Sequence, residues 1–98
     1  MDEVIAQFEK NATEVIRLSL TEYRGRQLID ARVYYSDDEG QYRPTRKGLA
    51  LSVSLYADFK RALLRLEKEL LERKLVTQEE LDEALLADVE EDEGAPLG

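Results

Sequence analysis

Seven cationic side chains fall between residues 17 and 47: Arg17, Arg24, Arg26, Arg32, Arg43, Arg46 and Lys47. Tyr23, Tyr34, Tyr35 and Tyr42 are interleaved with them. Guanidinium groups give paired N–H bonds to phosphate oxygens, and flat aromatic rings stack on unpaired bases, so this mixture suits a single-stranded nucleic acid. Such stacking is tolerant of sequence, because every base has a π-face. The same composition also fits an ordinary sheet, with tyrosines packing across strands and arginines on a solvated face.

Strands and turns must position these groups. From Val15 to Tyr23, Ile16, Leu18 and Leu20 alternate with Arg17, Ser19, Thr21 and Tyr23, the period of a half-buried antiparallel strand. Arg24-Gly25-Arg26 predicts a tight turn, with Gly25 free to take positive φ. Gln27 to Tyr35 alternates again, and Ser36 to Gly40 predicts a second turn. Tyr42 to Leu51 reads as a third strand interrupted by Pro44, which belongs at an edge or a bulge. Strict alternation sets Arg32 and Tyr35 on opposite faces, so one groove can use both only through a sharp twist or a bulge. Met1 to Asn11 fits either an edge strand or an irregular arm.

Ser52 is a helix N-cap, and from Val53 the period becomes helical. Tyr56, Phe59, Leu63, Leu66 and Leu70 recur at spacings of 3, 4, 3 and 4, the seam of a helix that meets another helix. Leu55, Ala62, Leu64 and Leu71 widen the apolar surface, so one side of the helix is expected to cover the sheet. Lys74 ends that helix. Thr77 to Glu80 forms a capping box for a short accessory helix over 76–87, and the acidic stretch 88–98 is expected to be disordered.

The 98 residues carry no histidine and no cysteine. That removes the commonest general base, thiolate chemistry and disulfides. No catalytic constellation stands out, so a binding protein without enzymatic activity, metal or cofactor is expected. Asp37, Asp38 and Glu39 are the nearest thing to a cation site, but hydrogen bonding within a turn accounts for them. The net charge of −8 argues against nucleic acid until its distribution is considered. Residues 75–98 hold nine acids and no base, whereas the remainder has 13 acids against 14 bases. Charge asymmetry is therefore the informative quantity. No run of about 20 apolar residues occurs, and the acidic N-terminus is not a signal peptide. A cytoplasmic, nucleoid-associated protein without a membrane partner is the expectation.

Leu20-Thr-Glu-Tyr-Arg-Gly-Arg, Leu28-Ile-Asp-Ala-Arg-Val-Tyr-Tyr, Asp38-Glu-Gly and Arg43-Pro-Thr-Arg-Lys-Gly-Leu-Ala-Leu, in this order and spacing, carry a resemblance. From about Phe8 to Leu66 the chain resembles the DNA-binding domain of the transcriptional coactivator positive cofactor four family. The resemblance implies a homodimer, each protomer a curved four-stranded antiparallel sheet followed by a long helix, that binds single-stranded or melted DNA. It assigns base stacking to Tyr23 and Tyr35. Phosphate contacts go to Arg24 and Arg26 beside the first turn, Arg32 in mid-strand, and Arg43, Arg46 and Lys47 in the last cluster. Arg17 joins the candidates as a cation on the same strand as Tyr23. Thr21 stands where the family often has a basic residue.

The expected fold class is α+β, with a sheet-plus-helix domain over 1–75. Single-stranded DNA and a second copy of the chain are the expected partners, together with the transcription or replication machinery. RNA in the same groove and a purely protein-binding dimer with a recruiting acidic tail are the alternatives. A small chain gains stability from dimerisation, because alone it buries a modest share of its surface.

Overall fold

The computed structural model describes residues 2–94. Four strands, β1 (Glu3–Glu9), β2 (Glu14–Tyr23), β3 (Arg26–Ser36) and β4 (Tyr42–Ser52), form one antiparallel sheet in the order β1-β2-β3-β4. A single 3-10 turn, Val53–Leu55, leads into α1 (Tyr56–Glu72), and α2 spans Gln78–Gly94. The α+β class and the four-stranded sheet followed by a long helix are therefore as expected. The N-terminal segment is a strand, paired with β2 from Glu3↔Leu20 to Glu9↔Val15, with Ile5 bulged between Val4 and Ala6. Among the described residues no helix is long and apolar enough to cross a membrane.

Turn chemistry fixes the register. Arg24 and Gly25 both take positive φ, 52° and 78°, and Tyr23 pairs with Arg26 across them. This two-residue hairpin has the hand that matches strand twist. At the second turn the Asp37 carboxylate accepts from the backbone N–H of Glu39 and of Gln41, both at 2.9 Å. Its other oxygen accepts from Arg43 Nε at 2.9 Å. These backbone and guanidinium bonds hold the Asp37 carboxyl below its ordinary pKa of 3.8, the bond from Gln41 contributing most. Asp37 thus closes the turn, as hydrogen bonding rather than cation binding requires.

β4 departs from regular pairing in one place. Arg32 pairs with Gly48 and Tyr34 with Pro44, so Thr45, Arg46 and Lys47 bulge opposite Val33. Thr45 Oγ1 fills the gap, donating to the Val33 carbonyl at 2.7 Å and accepting from the Lys47 N–H at 3.1 Å. Pro44 lies beside this bulge on an edge strand, where a missing donor is tolerated. Gly48 lets the two backbones approach. A Cβ there would sit 2.5 Å from the Ala31 carbonyl oxygen and 2.9 Å from Arg32 Cα.

The helical segment is locally determined. Ser52 caps the 3-10 turn by accepting from the Ser54 N–H at 3.2 Å. Lys74, at φ 58°, ends α1, with its N–H on the Leu71 carbonyl and the Leu75 N–H on that of Leu70. That pair of bonds is a Schellman motif. Thr77 and Glu80 form the reciprocal capping box, with bonds of 3.0 and 3.1 Å. One boundary differs: α2 runs to Gly94 instead of stopping at residue 87. Between Thr77 and Gly94 there is neither glycine nor proline, and Ala, Leu and Glu favour the helix. The stretch 88–98 is thus helical to Gly94, and its last four residues lie outside the described part.

The chain separates into two compact units, Met1–Ala57 and Asp58–Gly98. Strand ladders knit the first unit, and helical hydrogen bonds the second. The core is minimal. Among the described residues Val15 and Val33 are the buried hydrophobic side chains, and no residue of α1 is buried.

Three substitutions check this account. Gly48→Ala forces a backbone clash and should lower stability by about 1–3 kcal/mol in urea melts. Gly25→Ala, which has open space but keeps positive φ, should cost about 1–2 kcal/mol. Asp37→Asn keeps the acceptor for the turn but cannot ionise. Because the folded pKa of Asp37 is depressed, the wild type should exceed the variant in stability above pH about 4, and the difference should close as pH falls below it. A gap that persists in strong acid would assign the effect elsewhere.

Candidate nucleic-acid interface

The β2–β3 ladder is unbroken from Glu14↔Tyr35 to Tyr23↔Arg26, so alternation sorts the side chains onto two faces. One face carries Arg17, Ser19, Thr21 and Tyr23 of β2 with Arg26, Asp30, Arg32 and Tyr34 of β3. The other carries Ile16, Leu18 and Leu20 with Ile29, Ala31 and Val33, joined by Leu49 and Leu51 of β4. The first is polar and aromatic, the second a sheet of aliphatic side chains.

The seven cations differ in how much of each is available. Arg32 is held on three sides: Nη2 and Nε bond the Asp30 carboxylate at 2.8 and 3.1 Å, and Nη1 bonds the Thr45 carbonyl at 3.1 Å. The Asp30 carboxylate also raises the pKa of Arg32 above its usual value. Arg32 therefore braces the bulge as much as it faces a ligand. Arg43 is paired with Asp37. Arg24, Arg26, Arg46 and Lys47 are exposed and have no carboxylate partner among the described residues. These four are the side chains best placed to meet phosphate.

The aromatic residues also separate. Tyr23 is 59% exposed and lines a pocket with Arg24 and Arg26 at the first turn, the Arg24 guanidinium 5.2 Å from its ring centre. A base stacked on that ring would have two cations beside it. Tyr35, 44% exposed, belongs to the opposite face and pairs in register with Arg43. The only departure from regular pairing near it lies in β4, so β3 keeps Arg32 and Tyr35 on opposite sides. The structure thus brings Tyr23, Arg24 and Arg26 together, and sets Tyr35 with Arg43 at a separate place. Thr21, where a base was absent, donates its hydroxyl proton to the Asp2 carboxylate. Asp2, Ser19, Thr21, Asp30, Arg32 and Tyr34 line a groove of about 270 Å³ on the polar face.

Sequence reasoning missed one cluster. The Arg17 guanidinium lies 4.6 Å from the ring centre of Tyr34 and 5.2 Å from that of Tyr42, with Nε donating to Gln7 Oε1 at 2.9 Å. The parity of Tyr34 with Arg32 placed it on the polar face. The bulge hid the position of Tyr42. Of the five residues of the expected seam, Tyr56, Leu63 and Leu66 are about half exposed.

Comparison with known proteins bears on the fold and the family. Residues 10–62 match the family described as Transcriptional Coactivator p15 (PC4). Two crystal forms of a PC4 homologue from Burkholderia pseudomallei are similar to the chain. The orthorhombic form is 37% identical with a TM-score of 0.64, covering 68% of this chain and 90% of that one. The tetragonal form is 36% identical with a TM-score of 0.64, covering 68% and 98%. A bacteriophage T5 homologue of the eukaryotic transcription coactivator PC4, implicated in recombination-dependent DNA replication, shares the fold at 22% identity. Its TM-score is 0.63, over 89% of this chain and 96% of that one. The sheet order, the helix that follows it and a family match spanning more than half of the 98 residues lead to one assignment: the chain belongs to the Transcriptional Coactivator p15 (PC4) family.

Proposed function

We propose that this protein is a homodimeric single-stranded DNA-binding protein of the transcriptional-coactivator type, acting in transcription or in replication and repair where strands are exposed. The observation that carries the reading is the exposed Tyr23 flanked by Arg24 and Arg26, on a family fold associated with DNA. Binding is without chemistry and with little sequence preference: bases stack on tyrosine, and free guanidinium and ammonium groups neutralise phosphates. Arg46 and Lys47 extend the cationic surface at the bulge, and Tyr35 with Arg43 forms a second contact patch at the end of the other face. Arg32 acts chiefly by holding the groove's shape.

Dimerisation is supported by what each protomer leaves uncovered. Leu18, Leu20 and Leu49 of the sheet are 37–48% exposed, and Leu63, Leu64 and Leu66 of α1 are 48–55% exposed. Apolar side chains left exposed on each unit mark interaction surfaces, and a second copy is the partner that the helical seam fits. The transcription or replication machinery is the further class of partner. The nucleoid is the proposed cellular setting.

Fluorescence anisotropy against single-stranded DNA, RNA and duplex DNA tests the reading, with single-stranded DNA expected to bind tightest. RNA as the preferred ligand would redirect it, and no binding to any of them would leave a protein-interaction dimer. Log affinity should fall against log salt with a slope near −3, about −0.7 for each of roughly four phosphate contacts. Tyr23→Ala should weaken binding by about 1–3 kcal/mol and leave most of that slope intact, with circular dichroism confirming the fold. Leu63→Asp or Leu66→Asp should separate or unfold the protomers by burying an unpaired charge. Sedimentation of the wild type as a monomer at micromolar concentration would contradict the dimer.

A further inference from the structure

On the polar face, further along β2 from the Tyr23 pocket, Arg17 lies against the rings of Tyr34 and Tyr42. We propose that Tyr34, Arg17 and Tyr42 form a second nucleic-acid subsite, which takes a phosphate on the Arg17 fork and a base on the outer face of Tyr42. The inference rests on the single-strand reading above and extends the path of the strand along the sheet.

Three observations support it. Arg17 is held in place without being used up. Nε is fixed by Gln7, the plane is fixed by two rings, and Nη1 and Nη2 have no hydrogen-bond acceptor among the described residues. A guanidinium held in this way loses little freedom when it takes a phosphate in a bidentate grip. Arg32, the cross-strand partner of Arg17, differs because all three of its nitrogens are bonded to Asp30 and Thr45. Second, Tyr42 is 39% exposed on the edge strand, so a ring is presented where a base can reach it. Third, the groove on the polar face offers phosphate no open cation. Asp2 lines it and its Arg32 is bound to Asp30, which favours contact at the two ends of the face. Tyr23 lies six steps along β2 from Arg17, about 20 Å at the rise of a strand. Only a strand of several nucleotides can touch both.

The spacing gives the test. Affinity of the wild type is measured for deoxyoligonucleotides lengthened from about 4 to about 16 nucleotides, the range of sites on single-strand grooves. The wild type should gain affinity in a late step, once the strand reaches Tyr42. Tyr42→Ala and Arg17→Gln should lose that step, binding long strands about tenfold more weakly while matching the wild type within about twofold on the shortest. Tyr42→Phe should retain the step. If Arg17 is only structural, Arg17→Gln lowers the melting temperature and weakens every length alike, and Tyr42→Ala follows the wild type throughout; that pattern overturns the subsite. A wild type that binds short and long strands equally also overturns it, while leaving the Tyr23 site intact. Failure of the wild type to bind any single strand would remove the functional reading and the subsite together.

Discussion

The ten-pair ladder between β2 and β3 is the constraint on which the other features depend. It contains no bulge, so the pleat assigns every side chain from Glu14 to Ser36 to one face or the other without ambiguity. Most of the aliphatic residues collect on one side, with Arg17, Arg26, Arg32, Tyr23 and Tyr34 on the other and Tyr35 the exception. Irregularity is confined to the outer strands: Ile5 in β1 and the 45–47 segment in β4. The centre of the sheet is thus a rigid frame, and its margins adapt the shape.

Charge on the sheet is partly neutralised from within. Asp30 binds Arg32 on the polar face and Asp37 binds Arg43 at the end of the other, each carboxylate fixing a cation and reducing its pull on phosphate. Buried or half-buried pairs of this kind serve geometry, since desolvation offsets much of their attraction. The cations left open stand at the turn and at the bulge, where the backbone projects them furthest. A chain of net charge −8 can then present local positive surface without being basic overall.

Much of this was legible in the sequence because it is written in local rules. The period of two in residues 15–35, the turn glycine at 25, the cap at Ser52 and the box from Thr77 to Glu80 each act through near neighbours. Less legible were properties set by distant ones. Tyr34 and Tyr42 meet Arg17 only through three strands and a bulge. The availability of Arg32 depends on Asp30, two residues along the same strand, and on a carbonyl in β4. Neither the left-handed backbone of Arg24 nor the length of α2 was marked by a special residue. The helical seam of α1 could be read from its spacing alone.

The bulge in β4 has a further consequence for how this fold tolerates change in length. Three residues, Thr45, Arg46 and Lys47, stand opposite the single residue Val33, a surplus of two. Because the surplus is even, β4 leaves the bulge in the phase with which it entered, and Tyr42 and Gly48 keep the same side of the sheet. Loss of one residue from this segment would invert Tyr42, Arg43 and Pro44 relative to β3 and turn the outer tyrosine toward the aliphatic face. Removing two would flatten the edge and leave each face with its proper residues. Insertions and deletions here should therefore be admitted in pairs, and the strand edge can grow or shrink by steps of two while single steps are excluded.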